Sequence, residues 1–435
     1  MAATPRLGSV VAYVDKTYHR FLKCAVIEGI FSFVLPAARP VATACALSAS
    51  RLKGFDLLKR SSARAHLRSA TSVLALACSS SLGTDGKPAQ LQLAWHAVTQ
   101  ASEASFFLGT PAISEGVLYL EDGNTVLALD ANTGEKKWSR PVRLHPTAPA
   151  RNLVVKNGRV YVSETDSILA MDIGDGHTVW NFHPETQAIV YAAADDRAFY
   201  TGQRDVPLVY ALGLADGRLL WKVNIGTGWT FPGHVEGTAV SGDTVYVAAR
   251  KWLALNGWIG QGVLVALDRN DGHELWRYET PGTNGGLQDA PVVAGNLLVV
   301  SDLIGNAFFA YDRFEKRLAW RVQGTDNGPL IPPVVIGDDV YVGSANTHLY
   351  AANLQSGAVK WDVMPGGSIQ GTAFCQGQVF VNEYQIQRRD PQRKGAYSGA
   401  YNYVPEVGPF TSNIVSDNEK IYFAGEGGVY ALLCK

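Results

Sequence analysis

The chain has 435 residues, 47% of them hydrophobic, and a formal net charge of −1. That is enough apolar material for a large buried core, and the near-neutral balance argues against a nucleic-acid partner, which would demand an excess of Lys and Arg. The charge is unevenly placed: residues 1–70 hold 11 Lys and Arg against 3 Asp and Glu, and the remainder holds 27 against 36.

Residues 1–85 form a basic leader rich in Ala, Ser and Arg, expected to be largely disordered. Its most apolar stretch, 24–35, is broken by Glu28 and followed by Pro36, Arg39 and Pro40, too short and too charged for a membrane-spanning helix. A second stretch reads differently. Lys59, Arg60, Arg64 and Arg68 precede Val73-Leu74-Ala75-Leu76-Ala77 and then Cys78. This resembles a bacterial lipoprotein signal, in which the cysteine is acylated and becomes the mature N-terminus. A plain secretory leader and a transit peptide are the alternatives. With a true signal there, residues 1–55 read as an over-long start.

From residue 90 to 435 the chain is a repeat. Trp95, Trp138, Trp180, Trp221, Trp276, Trp320 and Trp361 follow one another at intervals of 43, 42, 41, 55, 44 and 41 residues. A period near 42 is that of a four-stranded propeller blade. Ala128-Leu129-Asp130 leads through Thr133-Gly134 to Trp138, and Ala266-Leu267-Asp268 leads through Gly272 to Trp276. The Gly position stands four residues before each Trp from Trp138 to Trp361 and the Asp position eight before, with Gly213 and Asn353 replacing Asp and Lys316 replacing Gly. In such a turn the Asp carboxylate accepts backbone N–H groups, and Gly supplies positive φ. The alanine leaves room for a large neighbour, and the indole fills room between blades. These residues hold blades together and carry no chemistry.

Runs such as Val160-Tyr161-Val162 and Val340-Tyr341-Val342 supply a strand upstream of each motif. The last copy, ending at Leu432, lacks a tryptophan strand, and Leu93-Ala94-Trp95-His96 lacks its preceding strands. The N-terminal strand therefore closes the last blade and leaves no open edge. The expected fold is all-β: an eight-bladed β-propeller of four-stranded antiparallel blades, closed by pairing of the N- and C-terminal strands. The seventh unit is degenerate. Tyr403 stands where a tryptophan is due, and Pro391 falls where a central strand is expected; seven blades plus an insertion is the alternative.

Sites are harder to read. His145, His177, His183, His234, His273 and His348 are dispersed and read as solvated turn residues, with no metal-ligand spacing. Ile225-Gly226-Thr227-Gly228 joins two strands and opens no helix, so it is no phosphate loop. Cys375 and Cys434 read as small buried residues, with a bridge between neighbouring blades as the alternative. The most suggestive surface is aromatic. Trp229, Trp252 and Trp258 lie outside the repeat and flank one blade. Segment 249–262 accounts for the long period and reads as an inserted loop between second and third strands. Segment 384–395, with Arg388, Arg389, Arg393 and Lys394, reads as a second insertion on the same face. Together they are the candidate partner-binding surface; packing of the tryptophans on their own loops is the alternative.

The repeat resembles the pyrroloquinoline-quinone (PQQ) type propeller repeat, and within that superfamily the chain most resembles the BamB-like group, through its eight blades, lipoprotein-like leader and closing tryptophan strand. The resemblance implies a non-catalytic, outer-membrane-anchored periplasmic scaffold whose protein partner is a barrel-assembly complex, without cofactor or metal. In that group an acidic and arginine patch on one inter-blade loop docks on the insertase; the comparable stretch here, 281–289, offers Asp289 alone. The enzyme alternative on the same repeat is a PQQ-dependent quinoprotein dehydrogenase, which implies neighbouring cysteines and a calcium site; no two cysteines here are neighbours. A ligand-sensing or carbohydrate-binding propeller is the third.

Overall fold

The computed structural model describes residues 90–435 except 100–109, 123, 144–152, 165, 186–191, 204–205, 232, 255–258, 283–284, 303–304, 326–330, 346, 384, 402–412 and 426. Cys78 and the rest of the basic leader, together with His145, Trp258 and Tyr403, lie outside the described residues. The expected architecture is present: eight antiparallel four-stranded sheets, each made of strands consecutive in sequence save the last. In the first blade the strands are Ala112–Ser114, Val117–Asp122, Thr125–Asp130 and Lys136–Pro141. The second and third strands are continuous apolar runs because neighbouring blades cover both of their faces. The fourth strand buries little beyond its tryptophan.

Ring closure follows the sequence expectation. Leu93–Ala97 pairs antiparallel with Gly428–Leu433, with Trp95 opposite Ala431. This is the pairing of Trp138 with Ala128, Trp180 with Ala170 and Trp221 with Ala211 in the first three blades. A register shift follows each of these pairs, which bends the outer strand as a bulge does.

The indoles do more than fill space. Trp95 Nε1 donates to Ala131 O at 2.9 Å, Trp138 to Ile173 O at 2.9 Å, Trp221 to Arg269 O at 2.9 Å and Trp320 to Leu354 O at 2.8 Å. Each acceptor is the residue after the Asp position of the next blade. The same ring lies flat on that blade's turn glycine. A Cβ on Gly134 would stand 2.6 Å from Trp95 Cε3, and one on Gly176 equally close to Trp138 Cε3. The Asp closes the turn: Asp130 Oδ1 accepts from Asn132 N at 2.9 Å and Thr133 N at 3.2 Å. Gly and Trp are therefore two halves of one inter-blade contact, separated in sequence by about a blade.

Blade seven departs from the sequence expectation. Its strands are Gly371–Cys375, Gln378–Asn382, Ile386–Asp390 and Ala396–Tyr401, and Pro391 opens a 3₁₀ turn, Pro391–Arg393, between the last two. A proline is at home there because its fixed φ suits the first position of a helical turn and its missing N–H costs nothing. Gly395, with φ +71, takes the turn position under Trp361. The tryptophan position four residues later is Gly399, opposite Arg388. The small–large pair Ala–Trp is thus reversed as Arg–Gly, with Gly399 at the tryptophan position where the sequence count pointed to Tyr403. Gly399 lies only 38 residues after Trp361, so a count of 42 overshoots even though the turn itself holds one extra residue.

Candidate functional site

Loops entering first strands and loops joining second to third strands emerge on one face, called here the loop face; the other two turns of each blade emerge on the turn face. Blade four is drawn out toward the loop face. Its first three strands, Gly233–Ser241, Thr244–Trp252 and Gly260–Asp268, run nine residues each. Most of segment 249–262 is therefore hairpin and not loop: Arg250 pairs with Gly262, Lys251 with Gln261 and Trp252 with Gly260. The alternating side chains of the extra rungs give this end of the blade its chemistry.

On one side of those rungs, His234 Nε2 lies 2.7 Å from Glu236 Oε1, and Arg250 Nη2 reaches the same oxygen at 3.2 Å. The three side chains are 12%, 7% and 12% exposed, so sequence reasoning wrongly placed His234 among solvated turn residues. Its signal was the alternation His234-Val235-Glu236 in a strand, which sends both polar groups to one face. The Arg250 guanidinium stands 5.3 Å from the Trp252 ring centroid, and His234 meets that ring edge-on at 5.4 Å. Trp252 is itself half-exposed at the rim. On the outer side, Lys251 pairs with Glu279 at 3.3 Å.

Trp229 sits on the connection into the same blade, but packs inward. Its ring lies on Gly233, where a Cβ would stand 2.3 Å from Trp229 Cζ3, and its apolar surface joins the core shared by blades three and four. The structure thus brings Trp229 and Trp252 to one end of blade four and gives them different jobs: Trp229 packs locally, while Trp252 borders solvent.

The other expected site residues separate from this rim. Arg388 and Arg389 lie in a strand and not in an inserted loop, while Arg393 and Lys394 lie in the turn between third and fourth strands. That turn belongs to the turn face, opposite Trp252. Arg389 is 8% exposed. It donates to Gln387 Oε1 and to Gly395 O and covers the Tyr397 ring at 5.4 Å. Burial holds both the Arg388 and the Arg389 guanidinium groups below the usual arginine range. Asp289 is also buried, at φ +69 in the first strand of blade five, so it presents no docking surface. Nearby, Asp302 Oδ1 accepts from Gly286 N at 2.9 Å and Oδ2 pairs with Arg321 Nη2 at 3.0 Å, which fixes this part of segment 281–289.

Two identically spaced clusters escaped notice in the sequence. Asp172, Asp175 and His177, and Asp268, Asp271 and His273, bring their ligand atoms within 4.8 Å on the turns of blades two and four. In each, His Nδ1 lies 2.7 Å from the second Asp. Backbone and side-chain hydrogen bonds from the histidine hold Asp175 and Asp271 below the usual carboxylate range. All four of these Asp and His partners are well exposed, and their hydrogen bonds close their own turns.

Cys375 and Cys434 form a disulfide, where the sequence favoured two free buried thiols. The bond joins blade seven to blade eight within a buried core and spans 59 residues, so it does not build the ring of neighbouring cysteines that a quinoprotein dehydrogenase implies. Elsewhere on the loop face Glu164 Oε2 accepts from Ser167 Oγ at 2.8 Å, and His348 Nδ1 lies 2.7 Å from Asp362 Oδ1. At the blade-four rim the half-exposed Trp252 ring lies beside the Arg250 guanidinium, which is itself paired with Glu236.

Comparisons with known proteins agree with this geometry. A family model described as outer membrane protein assembly factor BamB matches residues 89–204 and 205–432. A curated relative, the outer membrane protein assembly factor BamB of Alkalilimnicola ehrlichii, is 33% identical over 156 residues, which is 33% of this chain and 32% of the relative. The match thus spans about a third of that relative's length. The crystal structure of BamB from Moraxella catarrhalis superposes with a TM-score of 0.60 at 14% identity, covering 79% of this chain and 97% of that one. A europium-containing methanol dehydrogenase superposes with a TM-score of 0.59 at 15% identity, over 78% of this chain and 85% of the enzyme. At such identities the two superpositions establish a shared fold.

Proposed function

This chain belongs to the family of the outer membrane protein assembly factor BamB, and we propose that it is a non-catalytic interaction module of the cell envelope. The observation that carries the proposal is the extent of the family match, which runs from the closing strand at Leu93–Ala97 to the end of the last blade. The disulfide adds independent support for an exported protein, because such bonds persist in oxidising compartments and are rare in reducing ones. Anchoring through an acylated Cys78 and work beside an outer-membrane barrel assembly complex belong to the same proposal.

The working surface is the blade-four rim, with Trp252 as its contact, and Trp258 is the second candidate by its place in the sequence. The closed His234–Glu236–Arg250 cluster holds Trp252 in place. Replacing Trp252 and Trp258 by alanine is expected to weaken retention of envelope partners on the purified protein at least tenfold, with melting unchanged. Undiminished retention would remove the surface assignment. Mass spectrometry of the mature N-terminus tests the anchor. Dye-coupled alcohol oxidation after addition of PQQ and calcium tests the non-catalytic reading, and any turnover there would overturn it.

A further inference from the structure

The junction between blades seven and eight is built differently from those around it. At the other junctions an indole rests on the next blade, and five of them show its N–H bonded to the carbonyl after the Asp position. Cys434 holds that acceptor position in blade eight: Cys434 N donates to Glu419 O as Ala131 N donates to Gly116 O in blade one. With Gly399 in the tryptophan place, no indole among the described residues donates to it. Arg388 comes from the opposite strand instead, placing Nη1 3.5 Å from Cys434 O and donating through Nη2 to Ser398 O at 3.1 Å. A guanidinium brings a hydrogen bond but far less apolar surface than an indole. The Cys375–Cys434 bond crosses this same junction, joining the end of blade seven's first strand to the end of blade eight's third.

We propose that the disulfide stands in for the missing tryptophan wedge, and that it makes the seven–eight junction a redox-sensitive joint in the ring. Reduction by a dithiol transfers two electrons and two protons to the bond: Cys375 and Cys434 leave as thiols, and the dithiol's sulfurs become a disulfide. Both cysteines are almost completely buried. An attacking thiolate therefore reaches them only when the joint opens, and the joint, once cut, is left with hydrogen bonds as its polar cross-blade ties, among them Arg388 Nη1 to Cys434 O, Gln376 N to Asn418 Oδ1 and Leu91 N to Ala400 O. Junctions wedged by tryptophan contain no reducible bond among the described residues and stay shut. The ring would then loosen at one place, beside the strand pairing that closes it, while the remaining blades keep their stacking.

The test is hydrogen–deuterium exchange of the full chain, oxidised and after treatment with dithiothreitol and alkylation, with each cysteine followed by mass spectrometry. Reduction is expected to raise uptake at least tenfold in 371–382, 386–401 and 428–434, and to leave blades two to five unchanged. Combining Arg388→Ala with Gly399→Trp restores the usual small–large pair and should return the reduced protein to the oxidised pattern. Uniform uptake around the ring, no change on reduction, or no rescue by the introduced tryptophan would each overturn the proposal. Should the reduced chain fail to stay folded, release of the Cys375 and Cys434 thiols from the oxidised protein still decides. It is expected to be at least tenfold slower in the Arg388→Ala/Gly399→Trp variant than in the unaltered chain, and equal rates would refute the joint.

Discussion

Gly158→Ala and Gly176→Ala in blade two separate two costs that the repeat glycine conceals. The two glycines have almost the same backbone, φ +71 and φ +74. A Cβ at Gly158 meets nothing within 4 Å, whereas one at Gly176 stands 2.6 Å from Trp138 Cε3 and 2.8 Å from Cζ3. Gly158→Ala should therefore cost only the left-handed conformation, about 1–2 kcal/mol. Gly176→Ala should add an overpacking cost of about 1–3 kcal/mol, because the indole is pinned from above by its bond to Ile173 O. Trp138→Ala by itself empties an inter-blade pocket at about 3–5 kcal/mol. In the double variant the clash has no partner except the flexible Arg140 side chain. Gly176→Ala should then fall back to the Gly158→Ala value, giving a coupling of about 1–3 kcal/mol in the direction of mutual relief. Guanidinium denaturation followed by circular dichroism measures all four proteins without relying on tryptophan emission. Equal costs for the two glycines, or strict additivity with Trp138→Ala, would show that the glycine serves only its turn and that the Gly–Trp contact between blades is incidental.

Three further outcomes are expected. Replacing both Cys375 and Cys434 by alanine should remove about 4 kcal/mol of stability, the loop-closure value for a 59-residue separation, readable as a lower denaturation midpoint; a loss below about 1 kcal/mol would deny the bond a structural role. Glu121 is buried and neither carboxylate oxygen has a hydrogen-bond partner among the described residues, at a position where the other blades carry Ser163, Gly202, Ala248, Ser301, Gly343, Asn382 and Ala424. Burial pushes its carboxyl well above the usual range. As pH rises past the ordinary carboxylate value the unfolded chain ionises first, so stability should fall with pH by up to about 1.4 kcal/mol per unit until the folded group ionises too. Glu121→Gln should flatten that slope between pH 5 and 8 in urea titrations, and parallel curves for the two proteins would refute it. Arg393→Ala with Lys394→Ala, on the turn face, should leave partner retention unchanged where Trp252→Ala with Trp258→Ala lowers it, and the reverse order in the same pull-down would move the working surface to the other face.

Blade number, strand order and ring closure were legible in the sequence because each rests on a local pattern that recurs. Alternation marks the strands, Asp and Gly mark the turn, and the tryptophan spacing counts the units; Leu93–Ala97, a fourth strand lacking its first three, could pair only with the copy lacking its fourth. Where the pattern lapses, spacing stops being a ruler. Gly399 lies only 38 residues after Trp361, so a period of 42 moved the expected tryptophan site to Tyr403, and reading 384–395 as an inserted loop put Arg393 and Lys394 on the wrong face. Tertiary structure alone decided that Arg388 reaches the carbonyl an indole would have met, and that His234 and Arg250 share one oxygen of Glu236. It likewise decided that Cys375 meets Cys434. These contacts join residues on different strands or blades, and such partners are set by the register of pairing and the angle between sheets, which no single stretch of the chain encodes.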